Sequence, residues 1–146
     1  MNTELNQSEI ERYFIKGNQC YSNGDYHHAL KYYRMIIRLD PQQYSAWLNA
    51  GNALSQLNCL DESLECYSKA LSFNEHKVSA LYNRGTVLLK LSKFEDALSD
   101  FSQVIALQTD HGQAYHARAV THEKLGLNEQ AQRDFITALR LKTESR

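Results

Sequence analysis

Small and aromatic residues recur along this chain every 34 residues, with no insertion or deletion. When the chain is written in rows of 34 that begin at residues 10, 44, 78 and 112, the eighth column of every row holds a small residue: Gly17, Gly51, Gly85 and Ala119. The 24th column always holds an aromatic residue: Tyr33, Tyr67, Phe101 and Phe135. A fixed period of roughly 20–50 residues is typical of arrays of one repeated unit. The pattern therefore predicts four copies of one unit.

Within each row, the apolar positions predict two amphipathic α-helices. Columns 4, 8 and 11 share one helical face, and columns 20, 24, 27 and 28 share another, because helical neighbours recur every three or four residues. Between the two helices stands Gly24, Asn58, Ser92 or Gly126. The glycines suit the left-handed conformation that ends many helices, Asn58 tolerates it, and Ser92 fits it less well. We expect eight helices in four pairs, after a flexible lead at residues 1–9.

Small residues also occupy the facing column of the second helix in each row, at Ala29, Ser63, Ala97 and Ala131. Small residues at columns 8 and 20 would let the two helices of a pair approach closely, with aromatic rings filling the space beside them. A side chain larger than Ala at column 8 should then destabilise the fold by about 1–3 kcal/mol through overpacking.

These repeated residues resemble the pattern of the tetratricopeptide repeat family, which runs from an aromatic residue through Leu-Gly, Tyr, Ala, a second aromatic and Ala to Pro. The second row meets the pattern at Trp47, Gly51, Tyr67 and Ala70, and the other rows meet parts of it. The resemblance implies an all-α fold, a right-handed α-solenoid of four helix-turn-helix repeats. It implies one domain over residues 10–146, with repeats at 10–43, 44–77, 78–111 and 112–145.

The chain departs from the family at column 7, where Leu is usual and Lys16, Arg84 and Arg118 stand here. We interpret Arg84 and Arg118 as surface residues whose aliphatic stems lie on the protein while their charged ends reach water. The charged residues of the second helices, Asp100 among them, fit a solvated convex face.

The resemblance also implies that the first helix of each repeat lines a concave groove for an extended or helical peptide. Four asparagines map to that lining and form a ladder of amides: Asn18, Asn49, Asn52 and Asn83. Each amide carries a hydrogen-bond donor and an acceptor, which suits pairing with a peptide backbone. Phe14, Leu48 and Tyr82 would add apolar anchors. Alternatively, the amides bond to the adjacent helix or face water.

Family members that hold the C-terminal carboxylate of chaperones use cations at set columns beside the asparagines. Here those columns hold uncharged residues: Phe14, Ser79 and Asn83 in one window of three repeats, and Leu48, Gln113 and Ala117 in the next. Carboxylate capture relies on charge-assisted hydrogen bonds, so this ligand is disfavoured. The predicted function is a scaffold, adaptor or co-chaperone-like module that binds a peptide segment or a partner subunit.

Charge and hydropathy argue against other partners. The formal net charge is −1, from 16 basic and 17 acidic side chains, and no dense Lys/Arg run offers a nucleic-acid surface. No apolar run approaches the ~18 residues that cross a bilayer, so we expect no membrane insertion. The N-terminal residues lack the features of a secretory signal. The three cysteines form no CxxC motif: Cys20, Cys59 and Cys66. We expect them to be small core residues of a cytoplasmic protein.

Six histidines could suggest a metal site, namely His27, His28, His76, His111, His116 and His122. Their spacing does not bring three or four ligands together as zinc requires. The chain also has no Gly-rich phosphate loop and no GxSxG motif. We expect no metal, no cofactor and no enzymatic activity.

Self-association is the alternative function. Arrays of repeats usually end in a polar capping element, whereas the last predicted helix carries Phe135, Ile136, Leu139 and Leu141 close to the end of the sequence. These residues would leave an apolar C-terminal end uncovered. A second copy could then stack there to give a homo-oligomer, or further sequence of a longer repeat protein could cover the end.

Overall fold

The computed structural model describes residues 2–73 and 77–145, and within these ranges the chain is helical and contains no strand. Eight helices follow one another in the order α1 (Asn2–Ser22), α2 (Tyr26–Leu39), α3 (Tyr44–Gln56), α4 (Leu60–Leu71), α5 (Lys77–Lys90), α6 (Phe94–Leu107), α7 (Gly112–Lys124) and α8 (Asn128–Glu144). They form the four helix pairs that the 34-residue period predicts. The predicted boundary between the second and third repeats falls after Lys77, the first residue of α5.

The helices fall into two units. In the N-terminal unit, residues 1–75, α1 packs on α2, α2 on α3 and α3 on α4. In the C-terminal unit, residues 76–146, α5 packs on α6, α6 on α7 and α7 on α8, and α5 also touches α7. In both units the first helix of the second repeat therefore covers the second helix of the first repeat.

The turn inside each pair is the same left-handed C-cap. Gly24, Asn58, Ser92 and Gly126 have φ values of 78°, 60°, 58° and 75°. In each turn the next residue donates its backbone N–H to the carbonyl five residues earlier, as Lys93 does to Leu88 at 2.9 Å. This bond is the signature of the Schellman motif. Ser92 thus adopts the conformation that we considered less suitable for serine, because the closing bond is satisfied only with a left-handed residue there.

The approach of the paired helices is closer than the sequence indicates. A Cβ atom added to Gly17, Gly51 or Gly85 would lie 2.8, 2.7 or 2.7 Å from the ring of Tyr33, Tyr67 or Phe101 respectively. Real Cβ contacts are essentially never this short. At these three positions even alanine is therefore too large, and the predicted size limit should be lowered to glycine.

The N-terminal lead differs from its prediction. Residues 2–9 are helical and continue α1, whereas a flexible lead was expected. The sequence there contains no Gly or Pro, and extending a helix from Ile10, which is buried, adds one hydrogen bond per residue without a new nucleation step. Glu4 in the first turn also favours the helix through its interaction with the helix dipole.

Candidate functional site

Three of the four ladder asparagines converge in the N-terminal unit. Asn18 of α1 and Asn49 and Asn52 of α3 line one pocket of about 170 Å³, together with Tyr21, Ser22 and Tyr33. The first helices of two successive repeats thus bring their polar side chains to the same place, as the shared helix face predicts. Asn83 lies on α5 in the other unit and is half-buried.

Two of the amides are held by tyrosines of the second helices. The Tyr33 hydroxyl donates a 2.7 Å hydrogen bond to Oδ1 of Asn18, and the Tyr67 hydroxyl donates a 2.7 Å bond to Oδ1 of Asn52. In these two repeats the amide oxygens do what the alternative interpretation proposed, since they bond to the adjacent helix. With the oxygen of each amide facing its tyrosine, the nitrogen donor lies at the opposite end of the amide.

Burial keeps the two tyrosines in their neutral, donating form. Removal from water raises the pKa of Tyr33 to about 12 and raises the pKa of Tyr67 further. The pKa of Tyr21, at the edge of the pocket, is also raised by burial. All three groups therefore remain hydroxyls at neutral pH, and the pocket carries no formal charge from them.

The tyrosine–asparagine bond was within reach of the sequence but was missed. Columns 9 and 24 pair Asn with Tyr in rows one and two. In rows three and four, Phe101 and Phe135 replace the tyrosines, and Thr86 and Val120 replace the asparagines. The Thr86 hydroxyl donates to the carbonyl of Tyr82 on its own helix at 3.0 Å instead. A comparison of columns 9 and 24 shows that Asn and Tyr occur together in two rows and are both replaced in the other two.

The predicted apolar anchors are largely engaged in packing. Phe14 is half-buried and packs against the core of the N-terminal unit, and Leu48 is half-buried. Tyr82, in the C-terminal unit, is half-buried, and its ring lies tilted against those of Phe101 and His111 at ring-centroid distances of 5.9 and 5.2 Å. Nothing in these contacts tests whether the three side chains bind a partner, so their role as anchors stays a prediction.

The interpretation of Arg84, Arg118 and Asp100 as solvated surface residues is wrong. Arg84 donates from Nε and Nη2 to the two carboxylate oxygens of Asp100, both at 2.8 Å. Arg118 binds Asp134 in the same two-pronged way at 2.7 and 2.8 Å. Both aspartates are buried, and these hydrogen bonds raise the pKa of each arginine. The missed signal was the pairing of columns 7 and 23, which hold Arg and Asp in both rows.

His122 lies beside the second ion pair. Its Nδ1 atom is buried 3.2 Å from Oδ2 of Asp134, but the geometry does not make a hydrogen bond. Among the described residues no group of three or more His, Cys, Asp or Glu side chains could hold a metal ion. His76 lies outside the described residues. Within the same described part of the chain, no helix combines the length and the apolar character needed to cross a membrane.

A second, more apolar groove lies in the C-terminal unit between α7 and α8. It measures about 660 Å³, and its walls include His116 and Gln113 from α7 and Phe135, Ala138, Leu139 and Leu141 from α8. Ile136 and Leu139 are each 63% exposed, whereas Phe135 and Leu141 are half-buried. Two of the four residues predicted to leave an uncovered apolar end are therefore fully on the surface.

Comparison with known proteins agrees with this architecture. A search of curated proteins by sequence found no match. Among solved structures, the chain is similar to a crystal structure of MamA, with a TM-score of 0.89, 19% identity, and coverage of 93% of this chain and 80% of that one. A tetratricopeptide repeat protein from Parabacteroides merdae has a TM-score of 0.84 and 24% identity over 92% of this chain and 54% of that one. The TPR domain of Arabidopsis OM64 has a TM-score of 0.78 and 24% identity over 81% and 98%.

Sequence profiles of the repeat match most of the chain. Two profiles described as tetratricopeptide repeat match residues 10–43 and 82–141, and one described as TPR repeat matches residues 51–92. The matched segments contain the paired helices, the left-handed turns and the glycine–ring contacts described above. The chain belongs to the tetratricopeptide repeat family.

Proposed function

We propose that the protein is an interaction module that binds an extended segment of a partner protein in the polar pocket of its N-terminal unit. The observation that supports this is the convergence of Asn18, Asn49 and Asn52 on one pocket from two successive repeats. Binding is the activity proposed, and no catalytic step is part of it. The repeat fold generally serves protein–protein interaction, which is consistent with this role.

The chemistry of the pocket favours a peptide backbone as the ligand. Tyr33 and Tyr67 occupy the oxygens of the Asn18 and Asn52 amides, and the nitrogen of Asn18 is then the group that a ligand would meet. An extended peptide displays carbonyl oxygens at regular spacing, and amide nitrogens are suitable donors for them. Asn49 is half-buried beside these two residues and would contribute a third amide. Such contacts depend little on the side chains of the bound segment.

The absence of a cation among the pocket residues separates this site from one that captures a carboxylate. The six residues that line the pocket are three asparagines, two tyrosines and a serine. A free carboxylate would need charge-assisted bonds to offset the loss of its hydration. We therefore expect an internal, uncharged segment to bind better than a chain terminus with its carboxylate.

The experiment is a binding measurement with peptides selected from a displayed library on the full chain. Asn49→Ala should weaken binding of the selected peptides by about fivefold or more, equivalent to one lost hydrogen bond of about 1 kcal/mol. Gln130→Ala, which removes an exposed amide from α8, is the matched control and should change affinity by less than about twofold. Asn83→Ala, made separately, tests whether the C-terminal unit contributes.

If Asn49→Ala and Asn18→Ala retain the wild-type helical signal and bind within about twofold of wild type, the pocket is not the binding site. Amidation of the peptide's C-terminus supplies a second check, since a selected peptide that needs its free carboxylate would show that an anion is bound.

Self-association through the C-terminal end is a second candidate, supported by the exposure of Ile136 and Leu139. Sedimentation over a wide range of protein concentration tests it. A monomer at every concentration contradicts this candidate and leaves the peptide pocket untouched.

A further inference from the structure

The face of α8 beside the C-terminal groove is equivalent to faces that are covered elsewhere in the chain. At columns 24 and 27, Tyr33 and Ile36 of α2 and Phe101 and Val104 of α6 are completely or almost completely buried. In each unit the following first helix, α3 or α7, packs on that second helix. On α8 the same columns hold Phe135 and Ala138, which are half-buried and line the groove.

Column 28 shows the same contrast. Ile105 of α6 is 9% exposed under α7, whereas Leu139 of α8 is 63% exposed. The groove between α7 and α8 is thus the position that a covering helix occupies in the preceding repeat. The internal repeat shows what kind of element fits the surface, because the same surface is filled twice within this chain.

The first helices α3, α5 and α7 share a stripe of small residues. Column 3 is alanine in α3, α5 and α7, and column 10 of these helices holds Ala, Val or Thr. All six residues are fully or almost fully buried: Ala46, Ala53, Ala80, Val87, Ala114 and Thr121. In the N-terminal unit Ala46, Ala50 and Ala53 form one core cluster with Ile10, Tyr33 and Ile36. Positions seven apart lie on one helical face, so a covering helix needs alanine at one of them and a small or β-branched residue at the other.

The first helix of the chain does not have this stripe. At columns 3 and 10, α1 carries Arg12 and Gln19, and both are exposed. If α1 of a second copy lay in the groove, a guanidinium would take the place of a fully buried alanine. Burying an unpaired charge costs several kcal/mol, roughly the stability of many domains. Head-to-tail stacking through α1 is therefore a poor way to cover α8.

We propose that the groove between α7 and α8 binds an amphipathic helix of a partner protein that carries alanine at one position and Ala, Val or Thr seven residues later. The small residues let the helix backbone lie close to Phe135 and Ala138, as Ala46 and Ala53 allow α3 to lie on α2. Leu139 then packs beside the bound helix and loses its exposure. This surface is separate from the asparagine pocket, and either can fail without the other.

The test uses a segment of this chain as the probe. A fluorescent peptide with the sequence of residues 41–58, cross-linked across its outer face to hold the helix, contains α3 with both stripe positions. Isolated helices of this length are marginal in water, which makes the cross-link necessary. Fluorescence anisotropy with the full-length protein should show saturable binding that weakens by about tenfold or more when the peptide carries Ala46→Arg.

Changes on the protein complete the test. Leu139→Glu and the milder Leu139→Ser should each weaken binding of the peptide by about tenfold, and the exposure of Leu139 makes both variants compatible with folding. Leu5→Glu is the matched control, because Leu5 is an equally exposed leucine on α1. It should leave the affinity within about twofold of wild type.

Three results would overturn the proposal. They are no saturable binding up to about 1 mM protein, equal affinity for the wild-type and Ala46→Arg peptides, and unchanged affinity in both Leu139 variants. Concentration-dependent dimerisation that Leu139→Glu abolishes and that excludes the peptide would assign the groove to a second copy instead.

Discussion

At the scale of the single residue, the contact that limits side-chain size in three of the four repeats is between a glycine and an aromatic ring. At Gly17, Gly51 and Gly85, the aromatic ring at column 24 occupies the space in which a Cβ atom would lie. The ring cannot easily move away from an added Cβ atom, because the ring is itself buried. Glycine is therefore required at these positions for space rather than for a special backbone conformation.

Gly51→Ala should destabilise the protein by about 1–3 kcal/mol, because its Cβ would lie 2.7 Å from the Tyr67 ring. Urea denaturation followed by circular dichroism measures the change. Gly112→Ala is the matched control, since its Cβ would have its nearest neighbour at 3.6 Å, and it should change the free energy of unfolding by less than about 0.5 kcal/mol. Equal effects of the two substitutions would contradict the steric explanation.

At the scale of the helix pair, the two units use different chemistry for the same purpose. In the N-terminal unit a tyrosine hydroxyl from the second helix bonds to an asparagine of the first. In the C-terminal unit an arginine of the first helix forms a two-pronged ion pair with an aspartate of the second. Both link a helix to its neighbour beside the glycine or alanine contact at column 8. The neutral links join columns 9 and 24, and the charged links join the neighbouring columns 7 and 23.

The ion pair of α5 and α6 should show strong coupling in a double-mutant cycle. Arg84→Ala leaves the carboxylate of Asp100, which is 2% exposed, without its main partner and should destabilise the protein by about 3 kcal/mol. Asp100→Cys removes that carboxylate. The double variant recreates Ala and Cys as they stand at Ala50 and Cys66, and it should be at least about 1 kcal/mol more stable than the sum of the single effects indicates.

The same urea denaturation measurements serve for all four proteins of this cycle. Strict additivity of the two single changes would show that the ion pair contributes nothing beyond its separate side chains, and it would contradict this account. Arg118 and Asp134 are less suitable for the cycle, because His122 lies within 3.2 Å of the same carboxylate.

At the scale of the whole molecule, stability should fall at alkaline pH. Burial raises the pKa of Cys66 to about 11 and that of Tyr33 to about 12, and it raises the pKa of Tyr67 as well. In the unfolded chain a thiol ionises near ~8.5 and a phenol near ~10. The unfolded state therefore loses its protons first as pH rises, and the stabilisation present below these values is lost between about pH 9 and 12.

The free energy of unfolding, measured in urea at intervals from pH 8 to about 12, should decline through this range. Cys66→Ala should reduce the decline at the lower end, and Tyr33→Phe should reduce it above about pH 10, where only the unfolded phenol is ionised. A free energy that stays constant with pH would show that these groups are not protected from ionisation by folding.

Much of the fold follows from the sequence, and less of the candidate site does. The periodic columns predicted the helix pairs, the four turns and the close contact at column 8, whereas residues 2–9 are helical in place of the expected flexible lead, and the size limit at column 8 is glycine in three repeats. For the site, the shared face of Asn18, Asn49 and Asn52 was predicted, but their bonds to Tyr33 and Tyr67 were not. The two ion pairs were also missed, although their residues stand in fixed columns.

The sequence by itself determined the number and pairing of the helices and the turn inside each pair, because an α-helix brings every third or fourth residue to one face whatever surrounds it. Only the tertiary structure decided which polar groups meet. A hydrogen bond forms when two atoms from different helices come within about 3 Å in the right direction. Periodicity does not set that distance. The distance depends on how closely the Tyr67 ring approaches Gly51 and how closely α5 packs on α6.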